Sequence, residues 1–234
     1  MDIIGIRAVS ESLKAGDEAK KLIVEDINSK RITEILELAS KKNIEIKEDR
    51  NYFKKFSRAA QGVALQVKDY EYYDLDDFLE LPMDKRSNIC ALDSIEDVGN
   101  LGSIIRSASV FNISAIIITK DRSASITPAV IKTAQGGLRD VPIIMVVNLA
   151  RALRKLKDAG YFILGTDMEG DPMDEIIIGG AVYVIGSEHS GLRLGVKKEC
   201  DKILTIPMNK DSSVGCLNAA VAASIVFYEC FKRQ

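Results

Sequence analysis

Three short segments of this 234-residue chain concentrate side chains that could do chemistry. In the first, ALDSIEDVGNLGSIIRSASVFN, a strand-like run gives way to Asn100. A helical stripe of Leu101, Ile104, Ile105, Ala108 and Phe111 follows, with Arg106 beside it. Taken alone, an arginine there is more often solvent-facing than functional, although a guanidinium also suits a bound anion. The glycines Gly99 and Gly102 permit close approach of another backbone or a ligand, but they form neither G-x-G-x-x-G nor a Walker loop. The second segment, VYVIGSEHSGLR, holds the only histidine, His189, between Ser187, Glu188 and Ser190. A hydrolase would pair that imidazole with a serine, yet adjacent residues rarely point together, and the run is not a G-x-S-x-G elbow. The third segment is ILTIPMNKDSSVGCLNAAVAASIVFYE. Its strand stops at Pro207, a polar loop follows, and the next helix is small and apolar on nearly every side, which predicts burial all round. Asn218 lies near that helix start, where an amide can cap backbone groups or face a ligand; capping is the commoner use.

These segments need a scaffold, and the pattern supplies one. NICALDS, AIIIT, PIIMVV, YFILGT, AVYVIG and KILTIP are short apolar runs of the kind a sheet buried on both faces requires, and amphipathic stretches such as NLARALRKLKDAG separate them. The reading is α/β, with a mainly parallel sheet flanked by helices over residues 87–234. Ligands in such sheets collect beyond the carboxyl ends of strands, where all three segments lie. Ahead of this body, residues 1–68 read as a small α/β domain. KKLIVED, NIEIKE and GVALQV are its strands, and AVSESLKAG, ITEILELASKK and RNYFKKFS have helical spacing.

Charge divides the chain the same way. Residues 1–68 carry 14 Lys+Arg against 11 Asp+Glu, and residues 85–234 carry 18 against 16. Between them DYEYYDLDDFLELPMD has seven acids and no base, so residues 69–86 are expected to form an acidic linker or surface strap. The net charge of −2 therefore leaves two mildly basic bodies with usable cation clusters: Lys41-Lys42, Lys54-Lys55-Phe56-Ser57-Arg58, and Arg151/Arg154/Lys155/Lys157, although for any one of them a solvated helix face is the commoner use. Cys90, Cys200, Cys216 and Cys230 are widely spaced without a C-x-x-C, which points to neither a disulfide framework nor a metal site. No apolar run is long enough to span a bilayer, and the start lacks the features of a secretion signal, so the expectation is a soluble cytoplasmic protein.

In this order and at these separations, the three segments resemble the three motifs of the SpoU/TrmH family of RNA ribose 2'-O-methyltransferases, within the SPOUT superfamily. The resemblance covers residues 88–234 and includes DRSASITPAVIKTAQGG and VPIIMVVNLARALRKLKDAGYFILGT. It is strongest to the RlmB-like branch, which methylates a guanosine of 23S ribosomal RNA. Residues 1–68, with GIRAVSESLKAG at one end and QGVALQV at the other, resemble the RNA substrate-binding domain of L30e ribosomal-protein type that precedes the catalytic domain in that branch.

The resemblance implies a trefoil-knotted C-terminal SPOUT domain, a homodimer, and S-adenosyl-L-methionine held bent in the knot's loops, with no metal and no membrane. It implies that Gly186, Ile206 and Leu217 hold the cofactor through backbone groups, with Gly165 on another strand end beside the same pocket. Asn100, Arg106, Glu188 and Asn218 fall on the family's polar positions around methyl transfer. Arg106 suits a phosphate flanking the target ribose; the family proposal that it also takes the hydroxyl proton demands an unusual environment, since a guanidinium is a poor proton acceptor. The chain departs from the pattern at Cys216, where relatives commonly have serine, at Ala220, in a longer loop from Asn209 to Gly215, and at Arg7 and Ala60, which replace histidines. Ribosomal RNA is the expected partner, transfer RNA its rival. The other classes are an RNA-binding homologue weakened in catalysis and a cofactor enzyme on an ordinary doubly wound fold, which would need the absent glycine fingerprint.

Overall fold

The computed structural model describes residues 1–16, 19–56, 58–173, 179–188, 190–209, 213 and 215–233. Two compact units emerge, Met1–Glu71 and Tyr72–Gln234.

The first unit runs β1 (Asp2–Ile4), α1 (Ile6–Ala15), β2 (Ala19–Val24), α2 (Thr33–Lys41), β3 (Glu45–Glu48) and β4 (Val63–Val67). Its sheet has the order β1-β4-β2-β3, with β2 and β3 parallel and the other pairs antiparallel. Val9 and Leu13 of α1 and Ile35 and Ala39 of α2 meet Leu22, Val24 and Leu65 of the sheet in one core. The three expected strands form. The three-residue β1 is too short for an alternation to reveal it. RNYFKKFS, expected to be helical, forms a 3₁₀ segment over Arg50–Lys55, begun by Asp49 accepting from the Tyr52 amide at 3.2 Å.

The second unit runs α3 (Leu75–Leu79), β5 (Asn88–Asp93), α4 (Val98–Val110), β6 (Ala115–Thr119), α5 (Pro128–Ala134), β7 (Ile143–Val146), α6 (Leu149–Asp158), β8 (Phe162–Pro172), β9 (Ala181–Gly186), α7 (Leu194–Lys197), β10 (Lys202–Thr205) and α8 (Ala219–Lys232). All six expected apolar runs become strands of one sheet, ordered β10-β8-β9-β5-β6-β7 and parallel throughout. Every residue of β5 is buried, as a strand covered on both faces should be.

The acidic segment does not stand apart from this body. The Tyr73 amide donates to the Ile143 carbonyl at 2.9 Å, and Leu75 and Phe78 are buried in the core of the second unit. The compact unit thus begins at Tyr72. Apolar residues spaced among the acids anchor the segment while Asp74, Asp76 and Asp77 stay exposed.

One further expectation needs revision. Helix α8 is buried along one face only, through Ala219, Ala220, Ala223, Val226, Phe227 and Cys230; Val221, Tyr228 and Phe231 are exposed. Its small residues let that face lie close to α4 and β9, while Val221, Tyr228 and Phe231 on the other side stay exposed among the described residues. The basic cluster on α6 is mostly neutralised, because Arg154 pairs with Glu199, Lys155 with Asp76 and Lys157 with Asp201. Burial drives the Cys200 thiol up to about 12, and Cys90 and Cys230 are buried, so three of the four thiols behave as small apolar groups. Among the described residues no helix is long and apolar enough to cross a membrane, and no group of His, Cys, Asp and Glu could hold a metal ion.

Candidate active site

From β5 the chain proceeds in one direction to β6 and β7, while β9 lies on the other side of β5, so the strand order reverses between β5 and β9. Their last residues, Asp93 and Gly186, are register partners, and the crevice beyond this reversal is where an open parallel sheet binds ligands.

The second motif leaves β9 through a turn fixed by backbone sterics. A Cβ on Gly186 would come within 2.4 Å of the Gly191 carbonyl carbon and 2.8 Å of the Leu192 amide nitrogen, so only glycine lets the loop fold back on itself. Gly191 sits at φ +60, and its amide donates to the Ser187 carbonyl at 2.9 Å. The Ser187 and Ser190 hydroxyls bond each other at 2.7 Å, closing the turn. His189 lies outside the described residues.

This turn is tied to β5 by an ion pair between a buried carboxylate and a partly exposed guanidinium. Asp93, fully buried, accepts from the Arg193 amide at 2.8 Å and from Arg193 Nε at 2.5 Å. The first motif enters α4 through Asp97, whose carboxylate caps the Asn100 amide at 2.7 Å. Gly102 allows α4 to approach α5 closely, since a Cβ there would meet Thr133 Cβ at 2.5 Å.

The three motifs then meet. Glu188 Oε1 accepts from Asn100 Nδ2 at 2.8 Å, from Asn218 Nδ2 at 3.3 Å and from the Ala219 amide at 3.0 Å. Asn218 Nδ2 also donates to Asn100 Oδ1 at 2.8 Å. Asn218 Oδ1 accepts from the amides of Ala220 at 2.9 Å and Val221 at 3.3 Å, so this residue both caps α8 and joins the polar cluster. The two alternatives for Asn218 are therefore used together. The Cys216 thiol donates to the Glu188 carbonyl at 3.6 Å, a weak contact in place of a hydroxyl's stronger one.

Beside the cluster lies a cavity of about 280 Å³ with walls from Ile185, Gly186, Glu188, Ile206 and Leu217, so of the four expected cofactor residues Gly186, Ile206 and Leu217 line it. Gly165 does not. A Cβ there would strike Ile203, Leu192 and Cys200 at 2.7–2.8 Å, so its glycine serves packing beneath the floor, while the next residues, Thr166 to Met168, reach the cavity. Arg106 also stands outside the cluster. Six residues beyond Asn100, it is rotated about 240° around α4 and about 9 Å further along. Arg106 is exposed and makes no ion pair among the described residues.

Sequence reasoning missed Asp93, Arg193 and the pair of Asp167 with Lys197. Lys197 Nζ donates to Asp167 at 2.6 Å on the cavity wall. Burial raises the Asp167 carboxyl, but the hydrogen bond from Lys197 and the backbone amide of Met168 outweigh it and hold the group below the ordinary carboxylate value. Asp93 and Arg193 could have been noticed as the acid ending the apolar run Ile89 to Leu92 and the base closing the polar turn.

Fold and site define an α/β protein with a ligand cavity at a sheet reversal, bordered by a carboxylate that gathers two carboxamides from distant segments. Residues 87–228 match the family model described as SpoU rRNA Methylase family, and residues 3–73 match the model described as RNA 2'-O ribose methyltransferase substrate binding. The chain belongs to the SpoU rRNA methylase family, a family of RNA methyltransferases. A protein of Staphylococcus saprophyticus assigned to the TrmH family of tRNA/rRNA methyltransferases is 37% identical over 239 residues, covering 99% of this chain and 95% of that protein. A Staphylococcus aureus counterpart is 36% identical, with 99% and 96% covered. The crystal structure of the SpoU methyltransferase AviRb from Streptomyces viridochromogenes, in complex with AdoMet, aligns at TM-score 0.71 and 24% identity over 100% of this chain and 89% of that one, a likeness of fold.

Proposed function

We propose that the second unit binds S-adenosyl-L-methionine in the cavity at the β5/β9 reversal and transfers its methyl group to a ribose 2'-hydroxyl of RNA, a guanosine of 23S ribosomal RNA being the expected target. The observation that carries this reading is the convergence of Asn100, Glu188 and Asn218 beside a cavity lined by Gly186, Ile206 and Leu217. The residues suit the cofactor: Ile185, Ile206 and Leu217 offer apolar contact to a purine, bare backbone at Gly186 allows close approach, and Asp167 and Glu188 bring negative charge near a sulfonium and an amino group. Two solved relatives are described with AdoMet bound, AviRb and an rRNA methyltransferase from Sinorhizobium meliloti, which supports the choice of ligand.

When bound, the cofactor supplies an electrophilic methyl group, so the protein's work is positioning. In this reading Glu188 fixes both carboxamides; Asn218 is saturated by its own four hydrogen bonds, and the remaining donor and acceptor capacity of Asn100 orients the ribose. Arg106, exposed on α4, takes a phosphate flanking the target nucleotide, a role that suits its planar fork; its proposed share in removing the hydroxyl proton depends on the environment bound RNA creates. The first unit, residues 1–68 in the sequence division, holds RNA, and the expected linker 69–86 leads into the catalytic unit, packing Leu75 and Phe78 into its core. The C-terminal segment is trefoil-knotted. In support, β9 returns to insert between β8 and β5, and Asn218 then bonds Asn100 across 118 residues of sequence. A homodimer covers the apolar face of α4 and α8, where Val110, Tyr228 and Phe231 are 64%, 49% and 48% exposed. The protein works in the cytoplasm, with its RNA.

Mass mapping of 2'-O-methyl nucleotides tests the reading, after incubation of the protein and S-adenosyl-L-methionine with unmodified ribosomal and transfer RNA. A single modified guanosine in 23S RNA is expected. Modification of transfer RNA alone would transfer the assignment to that substrate, and no ribose methylation of either RNA would overturn it.

A further inference from the structure

The first unit holds a second cavity, of about 560 Å³, formed entirely by its own residues. Phe53, Phe56 and Ile6 supply apolar surface, and Glu25, Arg31 and Gln61 supply polar groups. The aromatic residues there are unusual in this molecule. The chain has seven Phe, seven Tyr and no Trp, yet Tyr52, Phe53 and Phe56 fall within five positions, and none of the three belongs to the core of the unit.

They form a separate cluster instead. Ring centroids lie 5.9 Å apart for Tyr52–Phe53, 5.7 Å for Tyr52–Phe56 and 6.4 Å for Phe53–Phe56. Polar ties hold its base in place. The Tyr52 hydroxyl donates to Asp2 at 2.8 Å and accepts from Gln66 Nε2 at 2.7 Å. Lys55 pairs with Asp2 at 3.1 Å and lies 3.9 Å from the centre of the Tyr52 ring and 4.7 Å from that of Phe56. Phe53 and Phe56 are thus prepositioned and half-buried at the cavity, where a rigid aromatic surface can accept a flat partner at small entropic cost.

The polar wall specifies what that partner carries. The Gln61 carbonyl oxygen is occupied by the Ile6 amide at 3.0 Å, which leaves its Nε2 group to donate. Glu25 packs against Gly62, where an added Cβ would meet the carboxylate at 2.9 Å, and presents acceptors at the same wall. Arg31, exposed, makes no ion pair among the described residues, and neither do the nearby exposed Lys30 and Lys54. An aromatic face, a donor and an acceptor for a polar edge, and the cation Arg31 on the wall, with Lys30 and Lys54 next to lining residues in sequence, match a nucleobase with its phosphate. A protein side chain would leave the cations without an anion.

We propose that this cavity takes one unstacked nucleobase of single-stranded RNA, lying against Phe53 and Phe56, with Glu25 and Gln61 facing its polar edge and Arg31 its phosphate. The proposal rests on the reading that the first unit holds RNA, and it adds where and in what form.

The probe is a single-stranded oligoribonucleotide substituted with 5-iodouridine, photocrosslinked to the full-length protein and mapped by mass spectrometry. The same sequence as a blunt duplex serves for comparison, with affinities read by fluorescence anisotropy. Crosslinks are expected at Phe53 or Phe56, with the duplex bound more weakly. Phe56→Ala should weaken single-strand binding about tenfold, Phe56→Tyr should restore it, and Arg31→Gln should flatten the salt dependence by about one phosphate contact. Crosslinks confined to other residues of the first unit, or Phe53→Ala and Phe56→Ala both binding within twofold of wild type, would overturn the pocket and leave the first unit as an RNA holder. Crosslinks confined to the second unit would overturn both.

Discussion

Replacing Glu188 probes the junction of the three motifs directly. One of its oxygens receives Asn100 Nδ2 at 2.8 Å, Asn218 Nδ2 at 3.3 Å and the Ala219 amide at 3.0 Å, and Ala219 is only 3% exposed. In Glu188→Ala the Ala219 amide loses its acceptor where water reaches poorly, and both carboxamides lose the group that orients them. A buried unsatisfied donor costs about 1–3 kcal/mol, so with the weaker loss at the partly exposed carboxamides the total is about 3 kcal/mol. For a chain of this size that corresponds to a Tm lower by roughly 6–12 °C. Glu188→Gln keeps an acceptor oxygen and loses only the charge assistance, about 1 kcal/mol, or roughly 2–4 °C. Turnover should fall about a hundredfold in the alanine variant, because the positioning groups are then loose by an ångström or so, and about tenfold in the glutamine variant. Scanning calorimetry and labelled methyl transfer to RNA measure the two effects. Alanine and glutamine variants that melt together and turn over within twofold of wild type would refute the claim that this oxygen organises the site.

Asp93→Asn removes the charge that ties the 187–193 turn to β5 but keeps an acceptor, and with Arg193 partly exposed it should cost about 1–2 kcal/mol, read from urea unfolding. Gly186→Ala, which drives a Cβ to 2.4 Å from backbone, should weaken cofactor binding in calorimetry far more than Gly165→Ala, whose new methyl meets only side chains at 2.7–2.8 Å. Acid unfolding should depend on Asp167. Its folded-state carboxyl lies below the ordinary value of 3.8, so its stabilisation is present above that pH and is lost as pH falls through the lowered value. Asp167→Asn should flatten that limb of the urea midpoint against pH profile. Arg106→Lys should reduce turnover on RNA at least tenfold without changing cofactor affinity, because an ammonium lacks the guanidinium's two-pronged geometry.

Much of the second unit was legible because a sheet covered on both faces demands uninterrupted apolar runs, and AIIIT or AVYVIG can hardly be anything else. The convergence of Asn100, Glu188 and Asn218 was not legible from spacing. They are separated by up to 118 residues, and only the resemblance to a family grouped them before the structure showed their hydrogen bonds. Asp93 escaped notice because an acid closing an apolar strand reads as a solvent-facing end, whereas its burial follows from Arg193 one hundred residues away. Gly165 shows a related ambiguity: a glycine at a strand end fits ligand approach and tight packing alike, and Ile203, Leu192 and Cys200, which pack against it, come from other elements. The burial of Leu75 and Phe78 was hidden beneath the surrounding acids, although their spacing of three is that of one helical face.

The account depends most on what the site does to RNA, and the chemistry of alkaline hydrolysis reads this out. RNA methylated by the protein with radiolabelled S-adenosyl-L-methionine is digested in alkali, which cleaves each phosphodiester through its free 2'-hydroxyl. Label recovered in an alkali-resistant dinucleotide with a 5' guanosine is the predicted result. Label released in mononucleotides, which would mean methylation of a base, or no label in RNA at all while Glu188→Ala behaves identically to wild type, would contradict it.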